Sequence, residues 1–561
     1  MTIPMDINYA YALEIEAHTG SEVLKIYISS NPQLITKVTD TPPSKIFEGG
    51  LIQPGNYSIS CFEDGKSFGK ASIGYGEIVL NNNGGVYDYM LDYAFDGRSA
   101  TLRRIEATLM NTAAYPNDWT MIFNGSLDRP SPNIQGYNEE TIVIPWRDKM
   151  IELQIPLPLA TYKGDNVLPD GLEGTADDLK DKMKQLVLGQ VFQVSVQWVN
   201  TYKLICSVSA PSPGKQDLIT DWAGITDFAG ITNFFGLTLE GAFKDGWGMN
   251  RSGINNVSVF DCGIVIEQED EYTSIEEMME NQPSEGKCRI YRKEGYIRFG
   301  SQPTLVTVSC MDMSGWQSTI GSMVHAIIAG YLSWPLDRYS LDDMRDVDEL
   351  ADDPLGILIQ DDSETAMQIL DKLCQSPGCC YYFDNTGKFR IFQIREPSTL
   401  PIDFTLTNNQ IESLEFQNTE DIPVRGVRLK YQKCYTVQKT GLATLTTPYY
   451  RSFITNEWRT VLKENIVTKQ KHRLSKIMEV ETYFVQDVSD EAQRKCNLFS
   501  TRRDTINVKL ISHTLDFTML RLGMAAGIQF NSRFGYINKP MILIGITADL
   551  KDNSITLKFW G

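Results

Sequence analysis

Histidine is scarce in this 561-residue sequence. The four that occur, His18, His325, His472 and His513, stand far apart and without metal-ligand spacing. None of the ten cysteines forms a CxxC pair, which excludes zinc-ribbon and thioredoxin readings. Neither HExxH nor a P-loop pattern is present. No run approaches the roughly 18 consecutive apolar residues of a membrane-spanning helix. The start, MTIPMDINYAYALEIEAHTG, has no basic n-region and no apolar core, so no signal peptide is expected. Cations are also short, 52 Lys+Arg against 71 Asp+Glu for a net charge of −19. That balance argues against tight binding to nucleic acid or anionic membrane over the whole surface. Paired carboxylates of the glycosidase kind stay open, because 71 acids make chance pairs inevitable. No enzyme activity, cofactor or metal is expected.

What is present reads as β structure. The length suits roughly three to five domains, each with its own core. Most cysteines lie in apolar surroundings, as in Tyr202-Lys-Leu-Ile-Cys206, and are expected as buried free thiols in a protein made in a reducing cytoplasm. Residues 1–155 alternate short aromatic or apolar runs with Gly, Pro and Asn. Within them Asn81-Asn-Asn-Gly-Gly85 supplies residues that tolerate positive φ, and Asp96-Gly97 reads as a hairpin turn. Arg147 and Asp148 are expected to flank a turn and pair with one another. The fold class expected is mostly β with α+β units, multidomain, with several β-barrel or sandwich-like domains and a small helix-containing middle domain. The boundaries expected are 1–155, 156–312, 313–400 and 401–561.

Two connectors invite closer reading. Lys163 to Asp178 is polar and acidic, but a calcium loop counted from Asn166 puts Leu168 where a side-chain oxygen is needed, so a solvated loop is expected. Residues 221–238 hold a six-residue repeat in three copies, DWAGIT, DFAGIT and NFFGLT. A period of six fits an extended chain, with Trp222, Phe228 and Phe234 on one side and Ile225, Ile231 and Leu237 on the other. Three short repeats cannot stand alone and must lie against something. Two readings stay open: an apolar loop docking a partner chain or host membrane, with Trp222, Phe228, Phe234 and Phe235 as contacts, and a loop packed on its own domain.

Helical spacing emerges only in 313–376. Trp316, Ile320, Met323, Val324, Ile327, Ile328 and Tyr331 fall on one face, with His325 read as structural. An acidic stretch, Leu336 to Asp353, separates this helix from a second, capped by Asp362 or Ser363 and stopped at Pro377-Gly378. A hairpin follows, Cys379 to Phe392, in which adjacent Cys379 and Cys380 face opposite sides and form no ordinary disulfide. The chain from 401 returns to strands, with one helix from Ser489 to Thr501, N-capped at Ser489, burying Ala492, Cys496 and Phe499. The basic groups Arg502-Arg503 and Lys469 to Lys476 read as a solvated face or partner contact.

Several of these stretches resemble one family. IGYGEIVLNNNGGVYDYMLDYAFDGRSATLRR at 73–104 is similar to the N-terminal part of tail-tip proteins of tailed bacteriophages. The runs at 142–157, 173–198, 254–312, 354–395 and 535–561 resemble later parts of the same family, in the same order. The resemblance implies a structural virion protein, the hub of a tail tip or baseplate. It implies a homotrimer whose barrel-like domains copy the tube subunit, so that three chains match a sixfold ring. It further implies as partners the tail tube or distal tail ring, the tape-measure protein and a central fibre or spike. DNA would pass through without specific binding during genome ejection, helped by a negatively lined lumen. A receptor- or glycan-binding tail protein for host attachment is the alternative, and a carbohydrate-active enzyme the third.

Overall fold

A computed structural model describes residues 9–62, 68–69, 74–134, 140–157, 159–209, 254–312, 318–417, 422–511, 515–532 and 535–561. The protein is mostly β, with α+β units, and multidomain. The first sheet has nine strands. Along it run Glu48–Gly49, Val23–Ser29, Tyr9–His18, Ser99–Glu106, Thr120–Leu127, Glu140–Arg147, Tyr75–Asn81 and Leu51–Gln53, with Ser131–Ile134 paired beside Glu140–Arg147. Alternate residues such as Leu13, Ile15, Ile78, Leu80, Leu102, Ile142 and Ile144 are buried, as a sheet with one core face requires.

The two ends of this sheet are halves of a single segment, parted only by Gly50. Gly50 N–H donates to Ser29 O on one edge (3.1 Å), and its carbonyl accepts from Asn81 N–H on the other (2.8 Å). The sheet is thereby drawn round into a nearly closed barrel, and few backbone groups are left at an open edge. Only glycine fits there: a Cβ would lie 2.7 Å from Tyr87 Cε2 and 2.8 Å from Cζ. Gly50→Ala is expected to lower stability by about 1–3 kcal/mol through overpacking. Combining it with Tyr87→Leu should recover part of that loss in a thermal-unfolding double-mutant cycle.

A second unit stacks two five-stranded sheets. One contains Ile254–Asp261, Val306–Asp312, Leu186–Ser195 and Gly356–Ile359, the other Ile205–Ser207, Tyr296–Phe299 and Lys287–Tyr291. Val191, Val194, Cys206, Val259, Ile290, Ile297 and Val308 fill the space between them, the sandwich arrangement. A last sheet of seven strands runs Phe404–Thr407, Ala525–Ser532, Gly535–Asp549, Ser554–Trp560, Thr505–Leu510 and Ile411–Gln417. Its two edge strands, Phe404–Thr407 and Ile411–Gln417, are consecutive in the chain and joined by the turn Asn408–Gln410. There Asn408 Oδ1 accepts from Asn531 N–H (2.7 Å) and Gln410 O accepts from Ile511 N–H (2.9 Å).

The seventh strand comes from the other end of the chain. Asn56–Ser60 leaves the first barrel and pairs antiparallel with Gly535–Asp549, Ser60 opposite Gly545 and Asn56 opposite Asp549. Tyr11 Oη also donates to Leu550 O (3.1 Å), and Arg104 pairs with Asp516 at 2.8 Å. A single continuous core consequently runs from Tyr11 to Trp560.

Several local expectations are corrected. Asp96-Gly97 turns, with Gly97 at φ +71°, but makes no hairpin. The residues before it form the 3-10 turn Asp88–Asp92, and Ser99–Glu106 pairs with Tyr9–His18 and Thr120–Leu127 instead. The acidic stretch at 336–353 contains a helix, Leu341–Leu350, N-capped by Ser340 and holding only Met344 and Val347 inward. The following helix, Ala366–Gln375, is started by a Thr365–Gln368 capping box rather than by Asp362 or Ser363. The Ser489–Ser500 helix has no side-chain cap from Ser489; Asp487 Oδ1 accepts from Ser489 N–H at 3.0 Å. Positive φ at Gly84 and Gly85 falls inside the turn read from the sequence.

Candidate functional site

The residues singled out for a partner or lipid contact, Trp222, Phe228, Phe234 and Phe235, lie outside the described residues, as do Trp316 and His513. Among the described residues no three His, Cys, Asp or Glu side chains gather in a way that could hold a metal. All ten cysteines are free, and all but Cys262 are buried. Burial pushes the thiols of Cys374 and Cys379 well above their ordinary range, the opposite of what a nucleophile needs. Asn166 spends its side chain inside the protein, Oδ1 accepting from Glu173 N–H (2.7 Å) and Nδ2 donating to Val199 O (2.7 Å). His325 sits 3.3 Å from Tyr339 Oη.

One G-x-S-x-G spacing does occur, Gly65-Lys-Ser67-Phe-Gly69, and Ser67 lies outside the described residues. A nucleophile elbow needs strand, turn and helix in that order. Here Gly69 pairs with the hairpin strand Cys379–Phe383, its N–H donating to Cys379 O (2.8 Å), and the next element is the strand Tyr75–Asn81. The helices described are short, and none is long and apolar enough to cross a membrane.

Chemically unusual groups collect instead where the units join. The strand Asn56–Ser60, with Phe62, Phe68 and Gly69, lies against the first barrel, the C-terminal sheet and the hairpin strand Cys379–Phe383. Tyr57, Ile59, Cys61 and Phe62 are buried. Phe62 lies 5.2 Å from the rings of both Phe68 and Trp560, and Phe68 lies 5.7 Å from Phe499. A cavity of about 10 Å³, room for one water and no substrate, is lined by Tyr57, Gly74, Phe123, Trp146, Asp148 and Phe383.

Asp148 on its wall does not pair with Arg147, whose partner is Asp128. Its carboxylate accepts from Gly74 N–H (2.7 Å) and Met150 N–H (3.0 Å), capping the 3-10 turn Lys149–Leu153. Burial pushes its pKa up to about 7 against the opposing pull of those two donors. Because the folded value is raised, the folded chain holds the proton more tightly than the unfolded one. The resulting stability is present below about pH 4 and lost as pH rises through about 7. The margin of wild type over Asp148→Asn in urea unfolding is expected to shrink across that window, by about 2–4 kcal/mol.

A second buried group joins the middle helix to the C-terminal unit. Lys495 is fully buried, and its Nζ donates to Gln375 O (2.8 Å) and Ser376 O (2.6 Å). These carbonyls lie at the C-terminal end of Ala366–Gln375, where a helix has unsatisfied acceptors and favours a cation. Arg494 donates to Pro377 O (2.7 Å) and Ile394 O (3.0 Å), and both cations meet Glu491. Sequence reading found Ala492, Cys496 and Phe499 on this helix face and passed over Lys495. Its i+3 spacing from Ala492 was the available signal.

Lys495 and Arg494 fasten the C-terminal unit to the middle one, and Asp148 fixes the end of the first; these groups do not converge on a reacting centre. No family model matches the sequence, and no curated protein matches it. Solved structures similar to the chain include a tail protein from Neisseria meningitidis MC58, at 10% identity and a TM-score of 0.36, covering 99% of this chain and 97% of that one. The prophage MuSo2 43 kDa tail protein from Shewanella oneidensis is similar at 9% identity and a TM-score of 0.35, over 98% and 97% of the two chains. Prophage tail protein gp18 from Listeria monocytogenes EGD-e is similar at 8% identity and a TM-score of 0.30, over 98% and 94%.

Proposed function

We propose that this chain is a structural protein of a bacteriophage tail, the trimeric hub of the tail tip or baseplate. In this reading it closes the tail tube, joins it to a central fibre or spike, and opens for DNA ejection. The observation that carries the reading is the presence of two curled sheets in one chain, the first closed at Gly50, joined by the strand Asn56–Ser60, which leaves the first sheet and pairs into the second. Three copies of such a pair present six barrel-like units, the number a sixfold tube ring needs. The six ordered stretches of family resemblance support the same reading. The units at 1–155 and 401–561 then supply the tube-like barrels, with 156–312 and 313–400 as the sandwich and α+β units set between them. Tube ring, tape-measure protein and fibre or spike are the partners this assigns.

Electron-microscope imaging of assembled tails carrying a tagged copy of the chain tests the proposal. Three copies on the tail axis at the end of the tube are expected. A peripheral position, or a copy number that is not a multiple of three, would overturn it.

A further inference from the structure

We infer that copies of this chain join one another through the basic loop at 463–476, which docks on the acidic Leu341–Leu350 helix of the next copy. The inference rests on the trimeric reading above and names the surfaces that would make the trimer. This loop, which leaves the strand Arg459–Glu464 and includes the short helix Ile466–Lys471 capped by Asn465, is an exception to the charge of the molecule. It carries Lys463, Lys469, Lys471, Arg473 and Lys476 against one acid, Glu464, in a chain of net charge −19. Lys471, Arg473 and Lys476 make no ion pair among the described residues.

Between these cations stand Ile466, Val467 and Leu474, at 67%, 71% and 74% exposure. Single exposed aliphatics are ordinary, but three within nine residues of a rigidly held loop are not. The loop is held: Asn465 Oδ1 accepts from Thr468 N–H (3.1 Å), Asn465 Nδ2 donates to Ser500 Oγ (3.0 Å), and Thr468 Oγ1 donates to Ser500 O (3.0 Å). Arg425 ties off both its ends, its carbonyl accepting from Asn465 N–H (2.7 Å) and its N–H donating to Lys476 O (3.0 Å). A mobile loop could fold its apolar side chains back; this one keeps them in water.

The complementary surface is the Leu341–Leu350 helix and the residues just after it. From 341 to 353 there are seven acids, at 342, 343, 346, 348, 349, 352 and 353, and one base, Arg345. Four of the acids have a partner within the chain, Asp342 the Arg345 guanidinium at 4.0 Å, Asp343 Arg390, Asp348 the Gly321 and Ser322 N–H groups, and Asp353 Gln486. Asp342, Asp346, Glu349 and Asp352 remain exposed, with Leu350 at 43% exposure among them. Partial burial and then the crowding of Asp343, Glu349 and Asp342 hold the Asp346 carboxyl above its ordinary range. An incoming cation would relieve that crowding. Opposite charge and an apolar element on both surfaces are what a specific contact combines.

The two surfaces have separate anchors within one chain. The loop is fastened to Ser500, the last residue of the Ser489–Ser500 helix, and the acidic segment to Gln486, three residues before that helix begins. Twelve residues of helix hold them roughly 18 Å apart. A contact between different patches on successive copies is heterologous and closes when the rotation divides a full turn, as a threefold ring does.

The full-length protein tests this by analytical ultracentrifugation at low and high salt, with three sets of exposed substitutions. The loop set is Lys469→Glu, Lys471→Glu and Arg473→Glu; the helix set is Asp342→Lys, Asp346→Lys and Glu349→Lys; the third chain carries both. Wild type is expected to form trimers that weaken with salt. Either single set should reduce self-association at least 100-fold, and the combined chain should restore it, which a misfolded variant could not do. Trimers unaffected by either set would overturn the inference and leave the trimeric reading standing, whereas a wild type that is monomeric throughout would overturn that reading as well. Binding of wild type to phosphatidylserine vesicles, lost in the loop set with trimers intact, would assign the loop to lipid and overturn the inference too.

Discussion

Phe62→Ala is expected to lower the unfolding free energy by about 3–5 kcal/mol, the usual cost of deleting a buried phenyl ring and leaving its cavity. Phe62 is 1% exposed and lies at the far end of the strand that the first barrel lends to the last sheet. Its ring meets Phe68, Trp560 edge-on and Phe499, so one side chain touches the N-terminal segment, the terminal strand and the C-terminal helix. None of these can close the gap without moving a different element, so relaxation around the cavity is limited. The residue also sits at φ +52°, where a side chain costs about 1 kcal/mol of backbone strain. Phe62→Gly should therefore cost no more than Phe62→Ala despite removing more atoms. Urea unfolding followed by Trp fluorescence and far-UV circular dichroism checks both. Coincident midpoints, shifted together, are expected; a shift in only one probe would show that the units unfold separately and that the shared strand does not couple them.

How far the sequence revealed this arrangement depends on the range of the interactions. Turns were legible where glycine writes its φ locally, as at Gly84-Gly85. The helix at 320–331 was legible because its apolar spacing is dense, Ile320, Met323, Val324, Ile327 and Ile328 all being buried. The helix at 341–350 was not, because it turns only Met344 and Val347 inward and gives the rest to acids. Arg147 and Asp148 are neighbours in sequence, yet strand alternation sends one toward Asp128 and leaves the other buried against Gly74. The closure at Gly50, the contact of Asn408 with Asn531, and the pairing of Ser58 with Thr547 join residues that no local pattern connects. Of the candidate site, the aromatic repeat at 221–238 lies outside the described residues. The basic run at 469–476 reads in sequence as a solvated face or partner contact, and the exposed aliphatics beside and within it, at 466, 467 and 474, become visible as a set only with the local fold.

Lys495 supplies the other large effect. Lys495→Met keeps the stem volume and removes the ammonium, so Gln375 O and Ser376 O lose their donor inside the protein. Two hydrogen bonds from a charged donor, less what the freed carbonyls regain, put the loss at about 3 kcal/mol. Glu491 keeps Arg494 as a bidentate partner, Nε at 2.6 Å and Nη2 at 2.8 Å, which prevents the larger penalty of an unpaired buried carboxylate. The pH dependence separates the charge from the packing. Burial pushes the Lys495 pKa down to about 8, partly offset by Glu491. Between about pH 8 and the ordinary lysine value near 10.5, the unfolded chain holds a proton that the folded chain has released. Stability contributed by this residue therefore rises with pH across that window, and the neutral amine still donates to both carbonyls. The gap between wild type and Lys495→Met, measured by denaturant unfolding at pH 7 to 10, is expected to be flat up to about pH 8 and then to widen. Other groups titrate identically in the two proteins and cancel in the difference, so a gap that narrowed with pH would mean that the ammonium is favoured where it lies.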